Sequence, residues 1–145
     1  MRLKTLIPLA LVAAALVFAA VSAAAVIRGT PGDDTLIGTP GPDLVYGLAG
    51  NDQIRGKQGD DTVYGGAGAD VLYAGPGSDH LDGGSGPDTL WAVAKDGDTD
   101  YLDCGPGRDV AHIREGERSV VTNCEQVIVE PDATTPTEEP GDSSG

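Results

Sequence analysis

Aliphatic side chains recur at every ninth position between residues 36 and 90. A fixed period repeated this many times indicates a solenoid, in which successive coils stack on one another. If two nine-residue units make one coil, these side chains form two inward rows that supply most of a thin core. Successive coils would stack at about 4.8 Å, the spacing between strands, so the chain is predicted to be all-β. The two rows are Leu36, Ile54, Leu72 and Leu90, and Val45, Val63 and Leu81.

Two further positions of each unit are constant, glycine at the fourth and aspartate at the sixth. The units follow one another without a gap from Gly29 to Trp91. They begin at Gly29, Gly38, Gly47, Gly56, Gly65, Ala74 and Gly83. The fourth-position glycines are Gly32, Gly41, Gly50, Gly59, Gly68, Gly77 and Gly86. The sixth-position aspartates are Asp34, Asp43, Asp52, Asp61, Asp70, Asp79 and Asp88. Asp and Gly both favour turns, but turn preference alone does not explain aspartates in strict register.

Stacking places the aspartates in two rows, one with Asp34, Asp52, Asp70 and Asp88 and one with Asp43, Asp61 and Asp79. Carboxylates about 4.8 Å apart, the spacing between strands, repel by roughly 0.8 kcal/mol in water and by more in a poorer dielectric. Arg55 and Lys57 are the only cationic side chains from Gly29 to Trp91. A calcium ion between coils would reverse this repulsion, and it prefers carboxylate and carbonyl oxygens.

The segment from Gly65 to Tyr73, GGAGADVLY, resembles the GGxGxDxUx unit of the RTX family of calcium-binding repeats, and the unit from Gly83 to Trp91 does too. This resemblance implies a parallel β-roll in which the first six residues of a unit form a calcium-binding turn and the last three a short strand. It also implies about five Ca²⁺ sites, held with backbone carbonyls of the glycine turns. The implied aspartate pairs are Asp34/Asp52, Asp43/Asp61, Asp52/Asp70, Asp61/Asp79 and Asp70/Asp88.

The register breaks after Trp91, where Ala92-Val93-Ala94 reads as an insertion and degenerate units follow over residues 95–112. There Asp79/Asp100 would add a sixth calcium site. Residues 113–130 are predicted to form a short cap over the last coil, with strands at Val120-Val121 and Val127 to Val129. Cys104 and Cys124 are the only cysteines, and an even pair in a secreted chain is expected to form a disulfide.

The two ends of the chain have other compositions. Residues 1–25 combine Arg2 and Lys4, an alanine-rich apolar segment and a small-residue motif, as in a secretory signal peptide; a retained membrane anchor is the alternative. No other segment is apolar enough to span a membrane. Residues 131–145, rich in Thr, Pro, Glu, Ser and Gly, are predicted to be a disordered tail. The net charge of -14 argues against nucleic acid as a partner.

These features predict a secreted, non-enzymatic calcium-binding protein that folds on binding extracellular Ca²⁺ and serves as a structural or adhesive surface or matrix component. A first alternative is a glycan-binding adhesin that uses an exposed strip of Tyr46, Tyr64, Tyr73 and Trp91. A second is a fragment of an RTX enzyme or toxin, which the lack of HExxH and GxSxG motifs disfavours. The sequence does not indicate an oligomeric state.

Overall fold

The computed structural model describes residues 23–132, and its regular elements are twelve β-strands with no helix. None of these described residues therefore forms a helix that could span a membrane. The strands are β1 (Val26–Arg28), β2 (Thr35–Ile37), β3 (Leu44–Ala49), β4 (Gln53–Arg55), β5 (Thr62–Ala67), β6 (Val71–Tyr73), β7 (His80–Ser85), β8 (Thr89–Ala92), β9 (Thr99–Asp103), β10 (Val110–Arg114), β11 (Arg118–Thr122) and β12 (Gln126–Glu130).

The strands form two parallel sheets of six strands each, and the chain alternates between them. The odd-numbered strands make the first sheet, in the order β1-β3-β5-β7-β9-β11, and the even-numbered strands make the second. Val45 pairs with Val63 in the first sheet, and Ile54 pairs with Leu72 in the second. Residues two units apart are thus stacked, so two units make one coil. The predicted all-β parallel β-roll is confirmed, with one coil for each pair of strands.

The strands of the first sheet are longer than the RTX resemblance implies. β3, β5 and β7 have six residues each, whereas β4 and β6 have three. The extra length arises because the second and third residues of the next unit also pair across coils, as Leu48 does with Gly66 and Ala49 with Ala67. The turns that follow β3, β5 and β7 are consequently shorter than six residues.

The two predicted aliphatic rows form most of the core, to which Ala74, Ala92 and Cys104 also belong. The side chains of Val45, Ile54, Val63, Leu72, Leu81 and Leu90 are fully buried, and both rows extend beyond the regular units to Leu102 and Ala111. Leu36, at the N-terminal end, is only partly buried because it has a neighbour on one side. Each fully buried aliphatic side chain contributes about 1.5–3 kcal/mol, so a core one side chain wide gives limited stability.

The interruption of the register lies in a turn and not at Ala92. Ala92 belongs to β8 and pairs with Ile113, so it continues the regular part of the roll. Leu81 pairs with Leu102, which is three residues further along than the regular spacing. The additional residues therefore lie between β8 and β9, where a turn can accommodate them without disturbing either sheet.

Residues 113–130, for which a cap is predicted, continue both sheets. β11 adds to β9 and β12 adds to β10, both in parallel. Cys104 and Cys124 form the expected disulfide, which links this last coil to the one before it. The predicted signal peptide lies outside the described residues up to residue 22, and the predicted tail lies outside them from residue 133.

Candidate calcium-binding rows

The aspartate rows lie inside the roll, at the ends of the turns. An aspartate stands one residue before each of the strands β2 to β8, in phase with the inward aliphatic residue two positions later. Because side chains alternate along a strand, the sixth and eighth positions of a unit point to the same side. The carboxyl groups are therefore carried into the interior, and the buried ones are Asp43, Asp52, Asp61, Asp70, Asp79, Asp88, Asp100 and Asp109.

One carboxylate oxygen of each aspartate is used to join the coils. Oδ1 of Asp52 accepts a hydrogen bond from the backbone N–H of Asp34 at 2.8 Å, and Oδ1 of Asp70 accepts one from Asp52 at 2.8 Å. The same bond links Asp79 to Asp100 at 3.0 Å. The structure thus brings together the residues of each predicted pair, through one oxygen and one amide. The other pairs bonded in this way are Asp43/Asp61, Asp61/Asp79, Asp70/Asp88 and Asp88/Asp109.

The other carboxylate oxygen is buried without a hydrogen-bond partner in most units. Among residues 23–132 this is true of Oδ2 of Asp52, Asp61, Asp70, Asp79, Asp88 and Asp109. A buried charged oxygen without a partner is costly, and buried polar groups in proteins are nearly always paired. Six such atoms at equivalent places are therefore a property of the repeat, and they require either protons or cations.

Backbone carbonyls face these oxygens. A side-chain carbon added to Gly47 would lie 2.4 Å from Oδ2 of Asp52 and 2.4 Å from the carbonyl oxygen of Gly65, so both oxygens face one small space. Equivalent spaces are formed at Gly56, Gly65 and Gly83, where the paired oxygens belong to Asp61 and Ala74, to Asp70 and Gly83, and to Asp88 and Cys104.

The donor set fits calcium, a hard cation that takes carboxylate and carbonyl oxygens. In residues 23–132 no group of three or more His, Cys, Asp or Glu side chains could hold a metal ion by itself. Backbone carbonyls are therefore an essential part of any site in these rows. The residues present would hold a calcium ion through the free Oδ2 of an aspartate together with carbonyl oxygens of the neighbouring coil.

Burial raises the pKa of most of these carboxyl groups. The pKa of Asp79 rises to about 7, first because of burial and then because the carboxylates of Asp100 and Asp61 lie nearby. Burial likewise raises the pKa of Asp61 to about 6, against the lowering effect of its backbone hydrogen bond. Ionised carboxylates are therefore disfavoured here without a cation. The groups with a raised pKa are Asp52, Asp61, Asp70, Asp79, Asp88 and Asp100.

The fourth-position glycines allow neighbouring coils to approach. Gly68 has a φ of +140°, and a side-chain carbon on it would lie 1.9 Å from the carbonyl oxygen of Gly50. Gly50, Gly59, Gly77 and Gly86 share the positive φ, whereas Gly32 and Gly41 do not. That carbonyls around all seven glycines bind calcium stays a prediction.

Three features of the aspartate rows were not predicted from the sequence. Asp109 is fully buried and continues the first row, and Glu125 ends it by accepting the N–H of Asp109 at 2.7 Å. The carbonyls of the first-position residues, such as Gly65, face the free oxygens. Asp109 could have been found from the degenerate unit that begins at Cys104, because Gly107 and Asp109 keep their places in it. Glu125 and the carbonyls have no sequence signal.

The aromatic strip forms two separate stacks on the outer faces of the sheets. The guanidinium of Arg28, on the preceding coil, lies 4.7 Å from the ring centre of Tyr46. On its other side Tyr46 stacks on Tyr64, with 5.2 Å between the ring centres. Trp91, in the second sheet, stacks between Tyr73 at 6.1 Å and His112 at 3.6 Å. Neighbouring side chains thus occupy both ring faces of Tyr46 and of Trp91, on which a sugar would stack. This favours packing between coils over glycan binding.

Comparison with known families supports the calcium interpretation of the rows. A four-copy model of the RTX calcium-binding nonapeptide repeat matches residues 28–63 and again residues 55–90. Neither a curated protein nor a solved structure matches the chain. The matched region contains β2 to β7 and the aspartates from Asp34 to Asp88. Residues 28–90 of this chain therefore belong to the RTX calcium-binding nonapeptide repeat family.

Proposed function

We propose that this chain is a secreted, non-enzymatic protein whose roll folds when it binds extracellular calcium, and that the folded roll is a structural or adhesive component of a surface or matrix. The observation that carries the proposal is the set of six buried Oδ2 atoms without a hydrogen-bond partner among residues 23–132. Calcium would compensate their charge, and RTX repeats are calcium-binding units.

Folding and calcium binding are expected to be coupled. Ordering a glycine-rich coil costs backbone entropy, and a core one side chain wide offsets little of it. Raised pKa values at Asp79 and Asp88 add a further cost to the ionised metal-free roll at neutral pH. The binding free energy of the ions then becomes part of the folding free energy, as in other small metal-binding domains. An affinity of about 10⁻⁴–10⁻³ M per site would suit an extracellular module.

Circular dichroism of the full-length chain, titrated with calcium and separately with magnesium, tests this function. The expected result is a cooperative gain of β signal with calcium that magnesium does not reproduce, because magnesium demands a tighter and more regular shell. A chain that is fully folded in excess chelator, and unchanged by calcium, would contradict the proposal.

Neighbouring aspartates provide a matched pair of variants for the same titration. Asp61 is buried with a free Oδ2, whereas Asp60, the preceding residue, is exposed and accepts the backbone N–H of Ser78 at 3.0 Å. Both Asp61→Asn and Asp60→Asn remove one negative charge from the same turn. Only Asp61→Asn should move the calcium midpoint to higher concentration. Equal shifts for the two variants would indicate that general acidity, and not the rows, attracts the ion.

Secretion is proposed from the composition of residues 1–25, with Arg2 and Lys4 ahead of an apolar segment. N-terminal sequencing of the chain recovered from the medium of expressing cells tests it, and the expected first residue lies near Val26. Recovery of the chain only in the membrane fraction, with its N-terminus intact, would favour the retained anchor. The adhesive role requires a separate assay, namely calcium-dependent retention on cell-surface or matrix preparations.

A further inference from the structure

The first two units hold their aspartates differently from the units that follow. Oδ2 of Asp34 accepts hydrogen bonds from the backbone N–H of Thr30 at 2.6 Å and from its hydroxyl at 3.0 Å. Oδ2 of Asp43 accepts the backbone N–H of Thr39, whose hydroxyl donates to Oδ1 at 2.9 Å. Neither Oδ2 is therefore among the buried oxygens without a partner.

The backbone at the second position of the unit separates the two kinds of aspartate. Thr30 and Thr39 occupy this position in the first two units and do not have a positive φ. All six units with an unpartnered Oδ2 have a residue of positive φ there, namely Leu48, Lys57, Gly66, Gly75, Gly84 and Gly105. A β-branched residue strongly disfavours positive φ. Threonine thus keeps the turn in the conformation whose amide and hydroxyl reach the carboxylate.

We propose that Thr30 and Thr39 take the place of a calcium ion at the N-terminal end of the roll, so that Asp34 and Asp43 bind no calcium. Ion binding then begins at Asp52. This inference rests on the proposed calcium binding of the rows and specifies which aspartates take part. The N-terminal coil is held by hydrogen bonds from its own turns, whereas the later coils depend on the cation.

The electrostatics of Asp43 agree with this assignment. Burial tends to raise its pKa, but hydrogen bonds from Thr39 and from the backbone N–H of Ala25 outweigh burial, and the pKa is lowered. Three hydrogen-bond donors therefore compensate the charge of this carboxylate without a metal. Asp61, the next residue in the same row, has a pKa raised to about 6. The two carboxylates differ in the donors that surround them, although their place in the unit is the same.

The remaining ligand geometry persists in the first two units. A side-chain carbon added to Gly29 would lie 2.6 Å from Oδ2 of Asp34 and 2.6 Å from the carbonyl oxygen of Gly47. A carbon added to Gly38 would similarly meet Oδ2 of Asp43 and the carbonyl oxygen of Gly56. The turn conformation is what differs from the unit at Gly47, because Thr30 and Thr39 at the second position and Gly32 and Gly41 at the fourth all lack the positive φ found there. Replacing Thr30 and Thr39 with glycine should allow a positive φ at the second position, release Oδ2 and create two additional sites.

The number of calcium ions bound at saturation, measured on the full-length chain by equilibrium dialysis, tests the proposal. The double variant Thr30→Gly/Thr39→Gly should bind two ions more than the wild type. The matched control Thr30→Ser/Thr39→Ser keeps both hydroxyls and should bind the wild-type number. A second pair of variants compares two aspartates of the same row without altering the turns. Asp34→Asn should leave the number of bound ions unchanged, and Asp70→Asn should lower it by one.

Two results would overturn the proposal while leaving the proposed function standing. These are a glycine double variant that binds the wild-type number of ions, and an Asp34→Asn variant that loses one. A wild-type chain that binds no calcium would instead overturn the proposed function, and this inference with it. The asparagine variants keep the test decisive even where the glycine variant is less stable, because they leave Thr30 and Thr39 in place.

Discussion

At the scale of single residues, the second position of the unit determines how much backbone strain a turn carries. Leu48 and Lys57 have φ values of 90° and 91°, in the left-handed region where glycine occurs in the later units. A side chain there is unfavourable because it crowds the backbone. Leu48 is also 43% exposed, so its side chain gains little from burial. The two units therefore carry strain without compensation from packing.

Replacing Leu48 or Lys57 with glycine should consequently stabilise the calcium-loaded roll. We expect a gain of about 1 kcal/mol for each, because relief of the left-handed strain exceeds the entropy that glycine adds to the unfolded chain. Urea unfolding in saturating calcium measures the change. Ser85→Gly is the control, since Ser85 is exposed and does not have a positive φ, and it should be neutral or destabilising. A loss of stability in Leu48→Gly would refute the argument.

The raised pKa values make the metal-free roll sensitive to pH. Burial raises the pKa of Asp79 and Asp88 to about 7, from an ordinary value of 3.8. Protons therefore bind the folded state more tightly than the unfolded state. The stability that protonation contributes is complete below pH 3.8 and is lost as the pH rises through 7. Between pH 3.8 and pH 7, protons on these carboxyl groups partly compensate the buried charge that a cation would otherwise neutralise.

The metal-free chain should therefore show more β structure at pH 5 than at pH 8, and saturating calcium should remove most of this difference. Circular dichroism of the chelator-treated and dialysed chain at the two pH values provides the measurement. Asparagine at both positions, in Asp79→Asn/Asp88→Asn, removes the two titrating groups and should reduce the pH dependence. More structure at pH 8 than at pH 5 in the metal-free wild type would reverse the sign and rule the explanation out.

At the scale of the element, close contact between coils depends on turns that exclude side chains. A carbon on Gly68 would lie 1.9 Å from the carbonyl oxygen of Gly50. Gly97, in the irregular turn between β8 and β9, also has a positive φ, of 80°, but a carbon there would meet no other atom of residues 23–132 within 4 Å. Substitutions at the two glycines therefore distinguish the effect of steric conflict between coils from the effect of backbone strain alone.

Gly68→Ala should thus cost much more stability than Gly97→Ala. We expect a loss of about 3 kcal/mol for Gly68→Ala, where strain and overlap add, and of about 1 kcal/mol for Gly97→Ala, where only strain acts. Urea midpoints in saturating calcium give both values. Similar losses in the two variants would show that the carbonyl of Gly50 can move aside, and that the contact between coils is less strict than the structure indicates.

The nine-residue period contains most of the information about the elements. It predicts the pairing of Val45 with Val63 and of Ile54 with Leu72, because a residue two units away must be the neighbour on the next coil. It does not extend to β11 and β12, because the segment after Arg114 has no repeat. The aliphatic residues there predict the two strands, but not their parallel pairing with β9 and β10. Nor can the period reveal that Thr30 donates to Asp34, which depends on the backbone conformation of one turn.

At the scale of the whole molecule, the two ends of the roll are stabilised by interactions that require no calcium. At the N-terminal end, threonines satisfy the carboxylates of Asp34 and Asp43. At the C-terminal end, the disulfide Cys104–Cys124 joins the last two coils, and Glu125 terminates the first aspartate row. Between them lie the units whose carboxylate oxygens have no hydrogen-bond partner within residues 23–132. If these units bind calcium as proposed, the roll combines a cation-dependent middle with ends held by hydrogen bonds and a covalent bond.

The disulfide should protect the last coil selectively. It closes a loop with a sequence separation of 20 residues, for which the chain-entropy model gives about 3 kcal/mol of stabilisation. Cys104→Ala/Cys124→Ala should lower the unfolding free energy by about that amount. In hydrogen exchange with saturating calcium, the amides of β11 and β12 should lose protection first, because these strands depend on the link, whereas β4 to β6 keep theirs through the aspartate rows. The calcium stoichiometry should stay the same. Uniform loss of protection along the roll would show instead that it unfolds as one cooperative unit, with no separate C-terminal end.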